Sequence, residues 1–129
     1  MNGGAGNDFL SSRVMFGGTG ADHFSIFTHT DAVTLGTIDR VMDWDSSDRI
    51  GVGGIFGLNY SEKSAPDFAT AAASFGSFLG PNVVVAVQIG ADVVVFANPS
   101  NVSGPTGVQA LMLVGRSLAD IDASNIITS

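Results

Sequence analysis

The feature that most constrains this chain is a nine-residue pattern that occurs twice near its start. Gly3-Gly4-Ala5-Gly6-Asn7-Asp8-Phe9-Leu10-Ser11 and Gly17-Gly18-Thr19-Gly20-Ala21-Asp22-His23-Phe24-Ser25 both fit G-G-x-G-x-D-x-U-x, with U a large apolar residue. Glycine lets the backbone bend through conformations that a β-carbon forbids. A chain bent in this way turns carbonyl oxygens inward, and the aspartate adds a charged oxygen. Hard oxygen donors of this kind suit Ca²⁺. The residues after each aspartate predict a short strand with Leu10 or Phe24 facing inward. The candidate metal ligands in the two turns are Gly4, Gly6 and Asp8, and Gly18, Gly20 and Asp22.

The remaining composition narrows the partners. Twelve acids face five bases, for a net charge of −7. No basic stripe exists to neutralise phosphates, which argues against nucleic acid. The same balance argues against anionic membrane surfaces and favours cations, because acids that repel one another are relieved by a bound metal. Cysteine is absent, so neither a disulfide nor a thiolate metal site can form. No apolar run approaches the roughly 18–20 residues of a membrane span. Residues 1–15 carry no basic start followed by an apolar run, so they do not read as a signal peptide. A chain that starts inside a repeat reads as part of a longer protein.

The pattern along the chain predicts a mainly β fold. The second motif begins fourteen residues after the first rather than nine. Ser12-Arg13-Val14-Met15-Phe16 must then lengthen a strand or loop out. Ile38–Trp44 reads as a strand, Asp45-Ser46-Ser47-Asp48 as a turn and Arg49–Val52 as a returning strand. Between residues 64 and 79, Phe68, Ala71, Ala72, Phe75 and Leu79 fall on one helical stripe. Ser64 and Pro66 stand near its start, with Asp67 in the first turn. Val83–Ile89 and Val93–Ala97 predict a hairpin about Gly90-Ala91-Asp92, and their unbroken valines imply cover on both faces. Val108–Val114 reads as a last long strand, followed by a helical turn within Ser117–Asn125. The expected fold is a short parallel β-roll continuing into an antiparallel β-sandwich-like cap with one α-helix. The roll takes residues 1–27 and the cap residues 28–129, packed as one domain.

These residues resemble the C-terminal region of RTX (repeats-in-toxin, hemolysin-type calcium-binding) proteins exported by type I secretion. Both motifs match the RTX nonapeptide. Ile38-Asp39-Arg40-Val41-Met42-Asp43-Trp44 and Asp48-Arg49-Ile50 resemble the stretch after the last repeat. The hairpin, Leu111–Gly115, Leu118 and Ile121–Ile127 resemble the tails of serralysin-like proteases, S-layer proteins and epimerase R-modules. The resemblance implies export of the unfolded chain, led by a C-terminal signal near Leu118–Ser129, and folding of the roll by Ca²⁺ outside the cell. The implied location is secreted, extracellular or cell-surface. The implied partners are an upstream domain of the parent and a type I transporter, with self-assembly if the parent is an S-layer protein. A roll site is shared between turns one full coil apart, which is two nine-residue repeats. On that pitch neither motif has its stacked partner here. The resemblance assigns the closing ligands of the second site to Asp31 and Asp39.

Other chemistries find less support. His23 and His29 would need further nitrogen or sulfur ligands to hold zinc, and no H-E-x-x-H is present. Neither G-x-S-x-G nor a P-loop occurs, so the chain reads as non-enzymatic. Asp43, Asp45 and Asp48 read as a polar turn rather than a cation site or a catalytic cluster. Asp120 and Asp122 read as helix caps. An R-type polysaccharide-binding module is the alternative reading, although five bases and one tryptophan supply little for a sugar groove.

Overall fold

The computed structural model describes residues 2–10, 14–25, 38–52, 59–75, 83–97 and 109–127. Its first strands alternate between two sheets as the chain advances. β1 (Phe9–Leu10), β3 (His23–Ser25) and β5 (Arg49–Gly51) lie side by side in a four-stranded parallel sheet, closed by β10 (Ile126–Ile127). β2 (Val14–Met15) and β4 (Asp39–Val41) pair in parallel in a second sheet, which β9 (Gln109–Leu113) continues, also in parallel. Each coil therefore gives one strand to each sheet, as a parallel roll requires.

The fourteen-residue spacing is a complete coil. Phe9 pairs with His23 and Leu10 with Phe24, so the motifs stack directly on one another. Val14 and Met15, in the stretch that exceeds nine residues, supply β2, the coil's second strand. Bridges between Asn2 and Phe16 and between Ala5 and Thr19 tie the two turns together. This corrects the expectation, drawn from a nine-residue pitch, that neither motif has a stacked partner. It also corrects the expected return of Arg49–Val52 against Ile38–Trp44. β4 and β5 both form, but they belong to different sheets, because the turn between them carries the chain from one sheet to the other as the glycine turns do.

The inward residues make two apolar columns. Leu10, Phe24, Ile50 and Ile126 stand in register in the first sheet. Met15, Val41 and Leu113 do so in the second. All are buried in one cluster with Trp44. The roll thus runs beyond residue 27, with β4, β5, β9 and β10 as its later strands.

Between β5 and β9 the chain builds an extension of the second sheet. β6 (Asn59–Ala65) pairs in parallel with β7 (Val83–Ile89), which forms an antiparallel hairpin with β8 (Asp92–Ala97). β8 then pairs antiparallel with β9. α1 (Phe68–Phe75) follows β6, and Asp67 caps it by accepting the Thr70 N–H at 2.7 Å. Capping by Asp67 rather than Ser64 satisfies one of the donors that a helix start leaves free. The valine runs have a clear reason. Val84, Ala86, Val93, Val95 and Ala97 face the roll interior, while Val85, Val87, Val94 and Phe96 pack with Ala71 and the partly buried Phe68 of the helix. A sheet covered on both faces has no need of polar alternation.

β6 was not evident from its sequence. Asn59-Tyr60-Ser61-Glu62-Lys63-Ser64-Ala65 is polar because this is an outer strand of the six, with Glu62 and Lys63 exposed. Charged side chains on an edge strand discourage further pairing. Among the described residues the fold is mainly β, with parallel and mixed sheets and one α-helix. The expected loops at 28–37 and 98–107 and the helical continuation to Leu79 lie outside the described residues.

Candidate metal centre

The register aligns three six-residue turns along one side of the roll. Gly3–Asp8 stacks on Gly17–Asp22, and that on Asp43–Asp48. The third turn lacks glycine, yet Asp48-Arg49-Ile50 repeats the Asp-x-apolar ending of Asp8-Phe9-Leu10 and Asp22-His23-Phe24. That shared ending was readable in the sequence. Without glycine, the third turn reads from sequence as a simple link between two strands.

In the two glycine turns, Gly4, Gly6, Gly18 and Gly20 have φ of 94°, 102°, 90° and 122°. This is the left-handed side of backbone space, where a β-carbon is strained. The stacking is also close: a β-carbon on Gly18 would collide with the Gly4 carbonyl oxygen, and one on Gly20 with that of Gly6. Backbone bonds hold the turns together. Gly3 N–H donates to Phe16 O at 2.8 Å, Gly6 N–H to Thr19 O at 2.9 Å and Thr19 N–H to Gly4 O at 2.9 Å.

The aspartates form a ladder along the roll axis. Asp8 N–H donates to Asp22 Oδ1, and Asp22 N–H to Asp48 Oδ1, both at 2.9 Å. Their second oxygens differ. Asp48 Oδ2 accepts the Asp45 N–H at 2.9 Å. Asp8 Oδ2 and Asp22 Oδ2 are buried with no hydrogen-bond partner, and the Asp22 residue is only 1 % exposed. Each lies against the first glycine of its own turn, where a β-carbon on Gly3 or Gly17 would strike it. A buried carboxylate oxygen without a donor costs about 1–3 kcal/mol or more, so a native fold supplies it with a donor, a water or an ion.

Burial holds the Asp48 carboxyl above its ordinary pKa, with the Asp22 and Asp45 charges adding to the shift and the Asp22 and Asp45 N–H groups opposing it. Asp43 receives a different pair of donors: Gly17 N–H reaches Oδ1 at 2.8 Å and Gly18 N–H reaches Oδ2 at 2.9 Å. Its two oxygens thus close the open side of the second glycine turn.

The expected ligands separate into two groups. Gly4, Gly6, Asp8, Gly18, Gly20 and Asp22 come together in adjacent turns. The Gly4 carbonyl already accepts Thr19 N–H, and the Gly20 carbonyl accepts Ser47 Oγ–H at 3.3 Å, which leaves each oxygen a second lone pair. Asp39 does not join them. It is buried at the start of β4 in the second sheet, beside Leu111. Met15 aligns with Val41, and the glycine turn follows Met15, so Asp39 begins its strand at the end remote from the turns. The acids that follow Asp22 in the stack are Asp43 and Asp48. Asp31 lies outside the described residues.

Among the described residues, no group of three or more His, Asp or Glu side chains is gathered as a metal site. The residues present fit a hard cation through two inward carboxylate oxygens completed by backbone carbonyls or water, a donor set suited to Ca²⁺. The His23 ring stacks on Phe9 at 4.2 Å between centroids, and burial lowers its pKa; His29 lies outside the described residues. Asp120 and Asp122 cap the two short 3₁₀ turns near the C-terminus, accepting Ser117 N–H at 2.9 Å and Ser124 N–H at 2.8 Å.

A scan against protein-family models and a search of curated proteins both found no match. The residues and their geometry therefore carry the functional reading.

Proposed function

We propose that this chain is a non-catalytic calcium-binding module of the RTX type. It completes its folding when it meets Ca²⁺ outside the cell. It carries a type I secretion signal near Leu118–Ser129 for a larger secreted or surface-layer protein. One observation carries the metal part of this reading: the orphaned, buried Oδ2 atoms of Asp8 and Asp22 within stacked glycine turns. A divalent cation supplies those oxygens with the partner they lack. Because the donors converge only when the turns are stacked, binding free energy becomes folding free energy. Extracellular calcium modules of this kind work at about 10⁻⁴–10⁻³ M, which ties the transition to the outside of the cell. The export role rests on the resemblance of the tail alone.

Isothermal titration calorimetry of the EGTA-treated protein with CaCl₂, with MgCl₂ as control, tests the metal. Saturable calcium binding with a rise in melting temperature is expected, and Asp22→Asn should remove both. A flat calcium titration sinks the reading. Export is tested separately, by deleting 118–129 and measuring secretion through a cognate transporter; unchanged secretion would refute that part.

A further inference from the structure

We infer that the cation requirement is confined to the first two coils, and that the turn Asp43–Asp48 is a metal-independent rung on which they are templated. This rests on the calcium reading above and adds which part of the molecule needs the ion. The three turns make the same crossing in register, so their differences are informative.

The third turn satisfies itself. Asp48 Oδ2 accepts Asp45 N–H, the kind of oxygen left orphaned in Asp8 and Asp22. Asp48 N–H donates back to Asp45 O at 2.9 Å, and Asp45 Oδ1 accepts both Ser47 N–H and Ser47 Oγ–H. Side chains do here what a metal would do for the glycine turns. The position aligned with Gly4 and Gly18 is Trp44, a fully buried ring in the roll core.

This turn is also bolted to the rest of the molecule. Trp44 Nε1–H donates to Asp120 O at 2.9 Å, and Arg116 Nε–H to Trp44 O at 2.6 Å. Asn125 Nδ2 donates to Ser46 O at 3.0 Å and Asp48 O at 2.9 Å. Gln88 ties the tail to the hairpin, donating to Arg116 O at 3.2 Å and accepting Leu118 N–H at 3.0 Å. None of these bonds involves the glycine turns.

The first two coils have little of this support. Their turns spend four positive-φ glycines, which lose more entropy on ordering than other residues. Phe9, Val14 and Phe16 of the first coil are 70 %, 43 % and 42 % exposed. What the third turn does offer them is a preformed set of acceptors: Asp43 for Gly17 and Gly18 N–H, and Asp48 Oδ1 for Asp22 N–H. Segments with few buried contacts and unsatisfied polar groups open before the core does.

Hydrogen exchange on the whole 129-residue chain, followed by mass spectrometry in EGTA and in millimolar CaCl₂, tests this. In EGTA, peptides within 3–25 should exchange fast while those covering 43–52, 83–97 and 109–127 stay protected. Calcium should slow exchange within 3–25 by at least about tenfold, the factor expected from a binding free energy of about 1.4 kcal/mol. Asp22→Asn should abolish that gain and leave 83–127 protected. Loss of protection across both regions in EGTA would overturn the inference while leaving calcium binding standing. No response to calcium anywhere would overturn the calcium reading, and this inference with it.

Discussion

The glycine turns and the acidic turn make the same six-residue crossing in two ways. Gly17–Asp22 achieves it with backbone freedom and leaves Asp22 Oδ2 buried and unpaired. Asp43–Asp48 achieves it with side-chain acceptors and leaves both oxygens of Asp48 occupied. Flexibility and dependence on an outside partner go together in the first. Rigidity and self-sufficiency go together in the second. A turn that bends easily has few internal bonds with which to stay bent.

Substitutions can break this contrast. The largest effect is expected at Trp44, where truncation to alanine empties a fully buried site and removes the donor to Asp120 O. Urea unfolding should show a loss of about 3–5 kcal/mol that calcium does not recover. Gly18→Ala should cost about 3 kcal/mol, from strain at φ of 90° and the collision with Gly4 O. It should also weaken the calcium response. Ser46→Ala, at the position stacked on Gly20, should stay within about 0.5 kcal/mol, since Ser46 is exposed and contributes only its carbonyl. Equal costs for the glycine and serine changes would erase the distinction between the two turns.

Asn125→Ala should cost about 1–3 kcal/mol by leaving Ser46 O and Asp48 O without their donor. The loss should appear as faster exchange in 43–52 and 115–127 before any change at the calcium turns. The smallest effect is a pH dependence at His23. Burial holds its pKa below the unfolded value of 6.5. Between those two values the unfolded chain binds more proton, so stability is lost as pH falls through 6.5 toward the folded pKa. A thermal melt series from pH 7 to 5 should show a shallow decline that His23→Gln flattens.

Sequence reading captured the parts governed by local chemistry. The inward positions of Leu10 and Phe24 followed from the nonapeptide, and the hairpin at 83–97 followed from its valines and Gly90-Ala91. The helix followed from its apolar stripe, but its cap did not: the structure uses Asp67 where the pattern suggested Ser64. What was not legible depended on distance along the chain. Residues 52–108 separate β5 from β9, so nothing local ties Leu113 or Ile126 to the columns begun by Met15 and Leu10. The coil length is not legible because Val14-Met15 is too short a run to announce a strand. Asp48 was hidden for the opposite reason to Asp22. Its turn carries no glycine, and glycine was the signal. Asp39 was assigned to the site by resemblance, but its place in β4 follows from the stacking of Arg40 and Val41 on Val14 and Met15.

The pairing of Ile50 with Ile126 makes the closing contact of the four-stranded sheet a long-range one. Its first three strands end by residue 51, but the fourth requires residues 126 and 127. Until those two residues dock, β5 is an open parallel edge. Open edges of this kind recruit other strands. Contacts that close long loops form slowly, so this edge is where a partly folded chain is most exposed to aggregation.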